Sequence, residues 1–168
     1  NHAIEEGWDA LAEGDMSTAI RRFNHGWLLD RTNGAVYWGF GVVLYKRDGD
    51  TKGALKMLAR ARRLQPDNPY LLVDFGRVLE EVDRVKEATI LFLDAVSLDP
   101  KTDNVYVGLV RAYMKDNDLQ NALMFAYEGK DKGDPISDKL IGALEELSAQ
   151  KPAEGTPLKY PAAPEWDQ

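Results

Sequence analysis

His2 and His25 are the only imidazoles of the chain, and cysteine is absent. Thiolate metal sites, disulfides and cysteine nucleophiles are thereby excluded together. His2 stands at the start of the chain. His25 has no serine or carboxylate at a spacing that would make it a general base. Gly39-Phe40-Gly41 has the first two glycines of a dinucleotide loop, but it lacks the third and lies inside a helical pattern, so close packing explains it. Asp48-Gly49-Asp50 could open a calcium loop, yet the remaining ligands and the closing glutamate are missing, and a turn accounts for it. The inventory points away from an enzyme, and neither cofactor nor metal is expected.

Charge narrows the partners. A formal net charge of -7 argues against non-specific nucleic-acid binding. Lys56, Arg60, Arg62 and Arg63 cluster in one segment, with Arg21 and Arg22 in the matching place one unit earlier. A solvated outer face is the expectation, with a site for an acidic protein or an anionic membrane surface as the alternative. No apolar run reaches the roughly 18 residues that span a bilayer, so no integral membrane segment is expected. The chain opens on Asn1 instead of Met, which suggests that an upstream segment was removed.

The elements that would position a binding site are set by an internal period. Ala19, Ala54, Ala88 and Ala122 begin comparable segments, followed four residues on by Phe23, Leu58, Phe92 and Ala126. Gly7, Gly41, Gly76 and Val110 keep a second register. The two registers slip between Gly41 and Ala54, which places one extra residue in the turn Lys46-Arg47-Asp48-Gly49-Asp50. Tyr37, Phe40, Gly41 and Leu44 follow the i, i+3, i+4, i+7 spacing of one apolar helical face, as do Leu72, Phe75, Gly76 and Leu79. Gly14, Gly49, Asp83 and Asn117 suit the left-handed turn that ends each first helix. Second helices should stop near Asp30, Gln65-Pro66 and Asp99-Pro100. A final one-sided helix carries Leu140, Ile141, Leu144 and Leu147, and reads as a cap.

The order of large residue, glycine, aromatic or leucine, alanine, aromatic and Asp-Pro resembles the tetratricopeptide repeat. The expected fold is all-α: an alpha-alpha superhelix of four helix pairs, at about 1–33, 34–68, 69–102 and 103–134, with a capping helix at 137–149. These make one domain over 1–150. Residues 151–168 form an extended tail rich in proline, with Pro152, Pro157, Pro161 and Pro164.

The resemblance implies that first helices line a concave groove. Its positions in the first unit are Ile4, Trp8 and Leu11, and in the second Trp38, Val42 and Tyr45. In the third they are Tyr70, Val73, Arg77 and Glu80, and in the fourth Asn104, Val107, Arg111 and Met114. A groove with rings at one end and two arginines at the other suits a peptide with apolar anchors and some acidic character. Ile4, Trp8, Gly39, Tyr70 and Asp74 stand where some relatives hold a partner's carboxylate with lysine and asparagine, so that clamp is missing. The expected function is an interaction scaffold or adaptor for a protein or peptide partner. The alternative is an assembly module that self-associates through its tail or convex face, as a homodimer or with Pro157, Leu158, Tyr160, Pro161 and Trp166 in its own groove. The stretch from Arg22 to Asp30, followed by Tyr37 to Gly41, resembles bacterial repeat proteins of the cell envelope and tilts localisation towards the periplasm, with the cytoplasm as the other reading.

Overall fold

The computed structural model describes residues 2–150. The expectations for residues 151–168 lie outside the described residues. Helices run in the order α1 (His2–Ala12), α2 (Met16–Leu29), α3 (Gly34–Asp48), α4 (Thr51–Leu64), α5 (Pro69–Glu81), α6 (Val85–Leu98), α7 (Val105–Lys115), α8 (Leu119–Lys132) and α9 (Asp138–Gln150). Helices α1 to α8 pair into four antiparallel hairpins, and α9 packs on α8. The superhelix expected from the period is the observed architecture.

Local chemistry explains the boundaries. Gly14, Gly49, Asp83 and Asn117 all adopt positive φ, between 58° and 81°, at the four hairpin turns. Asp15, Asp50 and Asp118 then cap the second helices by accepting from the backbone N–H groups of Thr18, Gly53 and Asn121. Asn33 and Asn68 cap α3 and α5 in the same way. The extra residue of the second unit is placed differently from the expectation. It is absorbed as helix, since α3 runs through Lys46 and Arg47 to Asp48 before Gly49 closes it.

Helix α7 has an unusual start. Asn104 sits in the left-handed region, with φ of 62°, and its own side chain caps nothing. Asp134, beyond the end of α8, supplies the cap instead. One carboxylate oxygen accepts from the Asn104 N–H at 2.9 Å, the other from the Tyr106 N–H at 2.8 Å and the Val107 N–H at 3.2 Å.

Between the first and second hairpins and between the third and fourth, a phenylalanine of the second helix meets glycines on two first helices. A Cβ built on Gly7 or Gly39 would lie 2.7 and 2.5 Å from the Phe23 ring. Phe92 stands in the same relation to Gly76 and Gly108, both at 2.7 Å. Both phenylalanines are buried, which is worth roughly 1.5–3 kcal/mol each. The second hairpin uses the shorter Leu58 against Gly41.

First helices also touch one another directly, α1 to α3, α3 to α5 and α5 to α7, whereas α2, α4, α6 and α8 make no comparable contacts among themselves within the described residues. A stack whose first helices are drawn together and whose second helices are splayed must curve with the first helices inside. That curvature creates the concave wall.

Candidate functional site

The inner wall is built in two different ways along its length. At its N-terminal end, Trp8 of α1 and Trp38 of α3 lie with ring centroids 4.2 Å apart and planes tilted by 49°, and Phe23 meets Trp8 edge-on at 5.2 Å from below. Both tryptophans keep part of their surface exposed. The Trp38 indole N–H donates to a carboxylate oxygen of Asp74 on α5 at 2.8 Å, which pins the ring across the gap between hairpins. The other Asp74 oxygen lies 3.9 Å from the Arg77 guanidinium. Burial lifts the Asp74 carboxyl above its ordinary range, opposed by the Trp38 hydrogen bond and the charges of Arg77 and Lys46.

Further along, α5 and α7 are joined by charge. Glu80 is 6% exposed, and Arg111 grips its carboxylate with Nε at 3.2 Å to each oxygen and Nη2 at 2.7 Å to one of them. Lys115 Nζ donates to the Glu80 carbonyl at 2.9 Å. The two arginines expected to meet a ligand therefore already face carboxylates of the wall itself, although 47% of the Arg111 side chain remains exposed.

The other expected positions divide by accessibility. Tyr70 and Met114 are exposed, and Tyr45, Val107 and Asn104 are half-buried. Val42 and Val73 are buried, together with Ile4 and Leu11. These side chains belong to the core, with Ile4 packed on Gly26 of α2. The surface open to a ligand combines parts of Trp8, Trp38 and Tyr45 with Tyr70, Val107, Arg111 and Met114.

Asp74 is the residue whose part in this wall is invisible to spacing on one helix alone. The signal for it lies in the period. Positions 5, 39, 74, 108 and 142 share one register, and past the first unit only 74 is not glycine. Among the described residues no group of three or more His, Asp or Glu side chains is placed to hold a metal, and no helix is long and apolar enough to cross a membrane.

No family model matches the chain. It is 30% identical to tetratricopeptide repeat protein 28 of Mus musculus over 112 residues, covering 67% of this chain and 4% of that protein. The chain thus spans a small fraction of the curated relative's length. PilF of Pseudomonas aeruginosa superimposes with a TM-score of 0.76 at 18% identity, over 89% of this chain and 67% of the other. MamA from Desulfovibrio magneticus RS-1 gives a TM-score of 0.70 at 21% identity, over 86% and 81%. These likenesses establish the repeat fold.

Proposed function

We propose that this chain, which is a tetratricopeptide-repeat protein, acts as a non-enzymatic scaffold holding a segment of another protein along its concave wall. Proteins of this fold serve generally in protein–protein interaction, and the finer reading rests on one observation. Trp8 and Trp38 form a ring pair left partly open to solvent, and Trp38 is fixed by the hydrogen bond it donates to Asp74 of the next hairpin. Rings held in this manner offer large contact area with little entropy left to lose. Along the wall Arg77 faces Asp74 and Arg111 grips Glu80, which favours ligands anchored by apolar or ring side chains. The exposed edge of Arg111 remains free to meet a backbone carbonyl or a carboxylate.

Selection of displayed peptides on the intact chain tests this reading. Enriched peptides should bind the wild type and lose at least tenfold in affinity to a Trp38→Ala/Tyr45→Ala double variant whose circular dichroism is unchanged. Equal binding to both proteins would move the site off the wall.

A second reading, self-assembly through the convex side, is favoured by a row of exposed leucines. Leu29, Leu64 and Leu98 end α2, α4 and α6 at equivalent positions and are 63%, 41% and 43% exposed. Light scattering across a concentration series separates the readings, because a stable oligomer without added ligand belongs to the second.

A further inference from the structure

We propose that the convex face of the first two hairpins is a second binding surface, which takes an acidic, amphipathic helix of a partner protein. It lies on α2 and α4, on the opposite side from the inner wall, and stands whether or not the groove reading holds.

Helix α4 carries Lys52, Lys56, Arg60, Arg62 and Arg63 and no acidic residue. Lys52, Lys56, Arg60 and Arg63 follow at i, i+4, i+8 and i+11, which makes one stripe of the helix, and all four are exposed. By contrast, Arg22, Arg47, Arg62, Arg77, Arg84 and Arg111 each face a carboxylate. Among the described residues Lys52, Lys56 and Arg60 have no carboxylate at ion-pair distance, and neither has Arg31 just past the end of α2. The helix gains nothing from such a stripe. Like charges four residues apart weaken it, and Lys52 stands in the first turn, where the helix dipole favours an anion. An acidic partner lying along the stripe would offset both effects.

Two of the cations are held in advance. The Arg31 guanidinium lies 4.4 Å from the centre of the Trp27 ring, and that of Arg60 lies 4.1 Å from the centre of the Tyr37 ring. The Trp27 indole N–H donates to the Tyr37 hydroxyl at 3.2 Å, and that hydroxyl donates to the Arg31 carbonyl at 2.7 Å. One linked ring pair thus holds both guanidiniums by their faces. Both arginines are exposed. A fork held flat in this way can grip a carboxylate through two N–H groups with little entropy left to lose.

Spacing and apolar surface name the occupant. Steps of four residues set the α4 cations about 6 Å apart along the axis. Glutamates at every fourth position of a partner helix rise by the same amount. Leu64 follows Arg60 by one turn, and Leu28 and Leu29 precede Arg31; they are 41%, 66% and 63% exposed. These leucines give such a helix an apolar footing beside its acidic row. A flat bilayer fits less well, because α2 and α4 are splayed apart on the convex side. A plane meets a curved stack along one helix, whereas the cations and leucines span two.

The test is selection on the intact chain from a displayed library of helical peptides, with glutamate fixed at every fourth position and the others varied. Enriched peptides should carry leucine or another large apolar residue beside the glutamates. They should lose about tenfold or more in affinity to Lys56→Gln/Arg60→Gln, and weaken steeply as salt is raised. Trp38→Ala/Tyr45→Ala should bind them like the wild type. So should Lys101→Gln/Lys139→Gln, which removes two exposed cations elsewhere. Equal losses in the two glutamine variants would reduce the effect to net charge and overturn the proposal. A library that yields no enrichment, or peptides indifferent to Lys56 and Arg60, would overturn it too. Sedimentation with phosphatidylserine vesicles that needs Lys56 and Arg60, with no peptide enriched, would assign the face to a lipid surface instead. Losses confined to Trp38→Ala/Tyr45→Ala would return the peptides to the inner wall, so that this inference falls and the groove reading stands.

Discussion

At the first and third junctions of the stack a phenylalanine fills the space between hairpins, and the facing residue of the next first helix, Gly39 or Gly108, has no side chain. At the second junction the filler is Leu58, and the residue in the facing register is Asp74. The last hairpin continues the exchange, with Ala126 as filler, Val110 on its own first helix and Gly142 in the facing register with nothing within 4 Å of where a Cβ would sit. Volume given up on one helix is used on another, as dense packing requires. Only in the middle does the exchanged volume carry a functional group, and that group holds Trp38. A stack of near-identical hairpins can thus acquire a polar contact on its inner wall by shortening one filler in its core.

Moving the middle solution to an outer junction should have the largest effect. Gly39→Asp pushes a Cβ and a carboxylate against Phe23, and about 3 kcal/mol or more of stability should disappear in denaturant unfolding. A loss under about 1 kcal/mol would show that the ring is not the obstacle.

Next comes the ionic rung beyond the middle junction. Arg111→Ala leaves the buried Glu80 carboxylate with Lys115 alone, and about 2–3 kcal/mol should be lost. Glu80→Gln together with Arg111→Ala should recover part of it, since no buried carboxylate then remains and Lys115 is left half exposed to solvent.

The comparison is sharpened most by restoring the outer solution in the middle. Leu58→Phe alone should cost about 1–2 kcal/mol, because the larger ring meets Asp74. Adding Asp74→Gly should return at least half of that, a coupling that a double-mutant cycle measures directly. Additive losses would separate the two positions.

The smallest effect is a pH dependence. The Asp74 carboxyl titrates above its usual 3.8 because of burial. The folded state therefore binds its proton more tightly than the unfolded chain, and this group stabilises the fold as pH falls through the raised value. Asp74→Asn keeps an acceptor for the indole and removes the titration. Melting curves at pH 7 and pH 4 should show the wild type gaining on the variant at the lower pH. A difference that is flat with pH would place the carboxyl in its ordinary range.

Much of the fold was legible because a period multiplies weak signals. One residue tolerant of positive φ predicts little, but Gly14, Gly49, Asp83 and Asn117 in a single register predict four turns, and all four are present. The capping helix was legible from the stripe Leu140, Ile141 and Leu144, the last two of which are buried. The wall was legible only by position. Spacing on a helix says which face Val42, Val73 or Arg111 occupies. It does not say how near the next helix comes, and that distance decides burial. Nor does it reveal which charge across the gap, Glu80 for Arg111 or Asp74 for Trp38, will claim a side chain. Contacts between residues 31 and 36 positions apart follow from the superhelical rise, which no single repeat contains.

The Asp134 bridge has a consequence for how the molecule breathes. Since the amides that open α7 are held by a carboxylate lying past the end of α8, neither helix can fray there alone. Peeling the chain back from Gly133 would strip Asn104, Tyr106 and Val107 of their acceptor in the same event. Hydrogen exchange in the last hairpin should therefore be concerted across both of its helices, so that this part of the protein opens as a leaf and not from a loose thread.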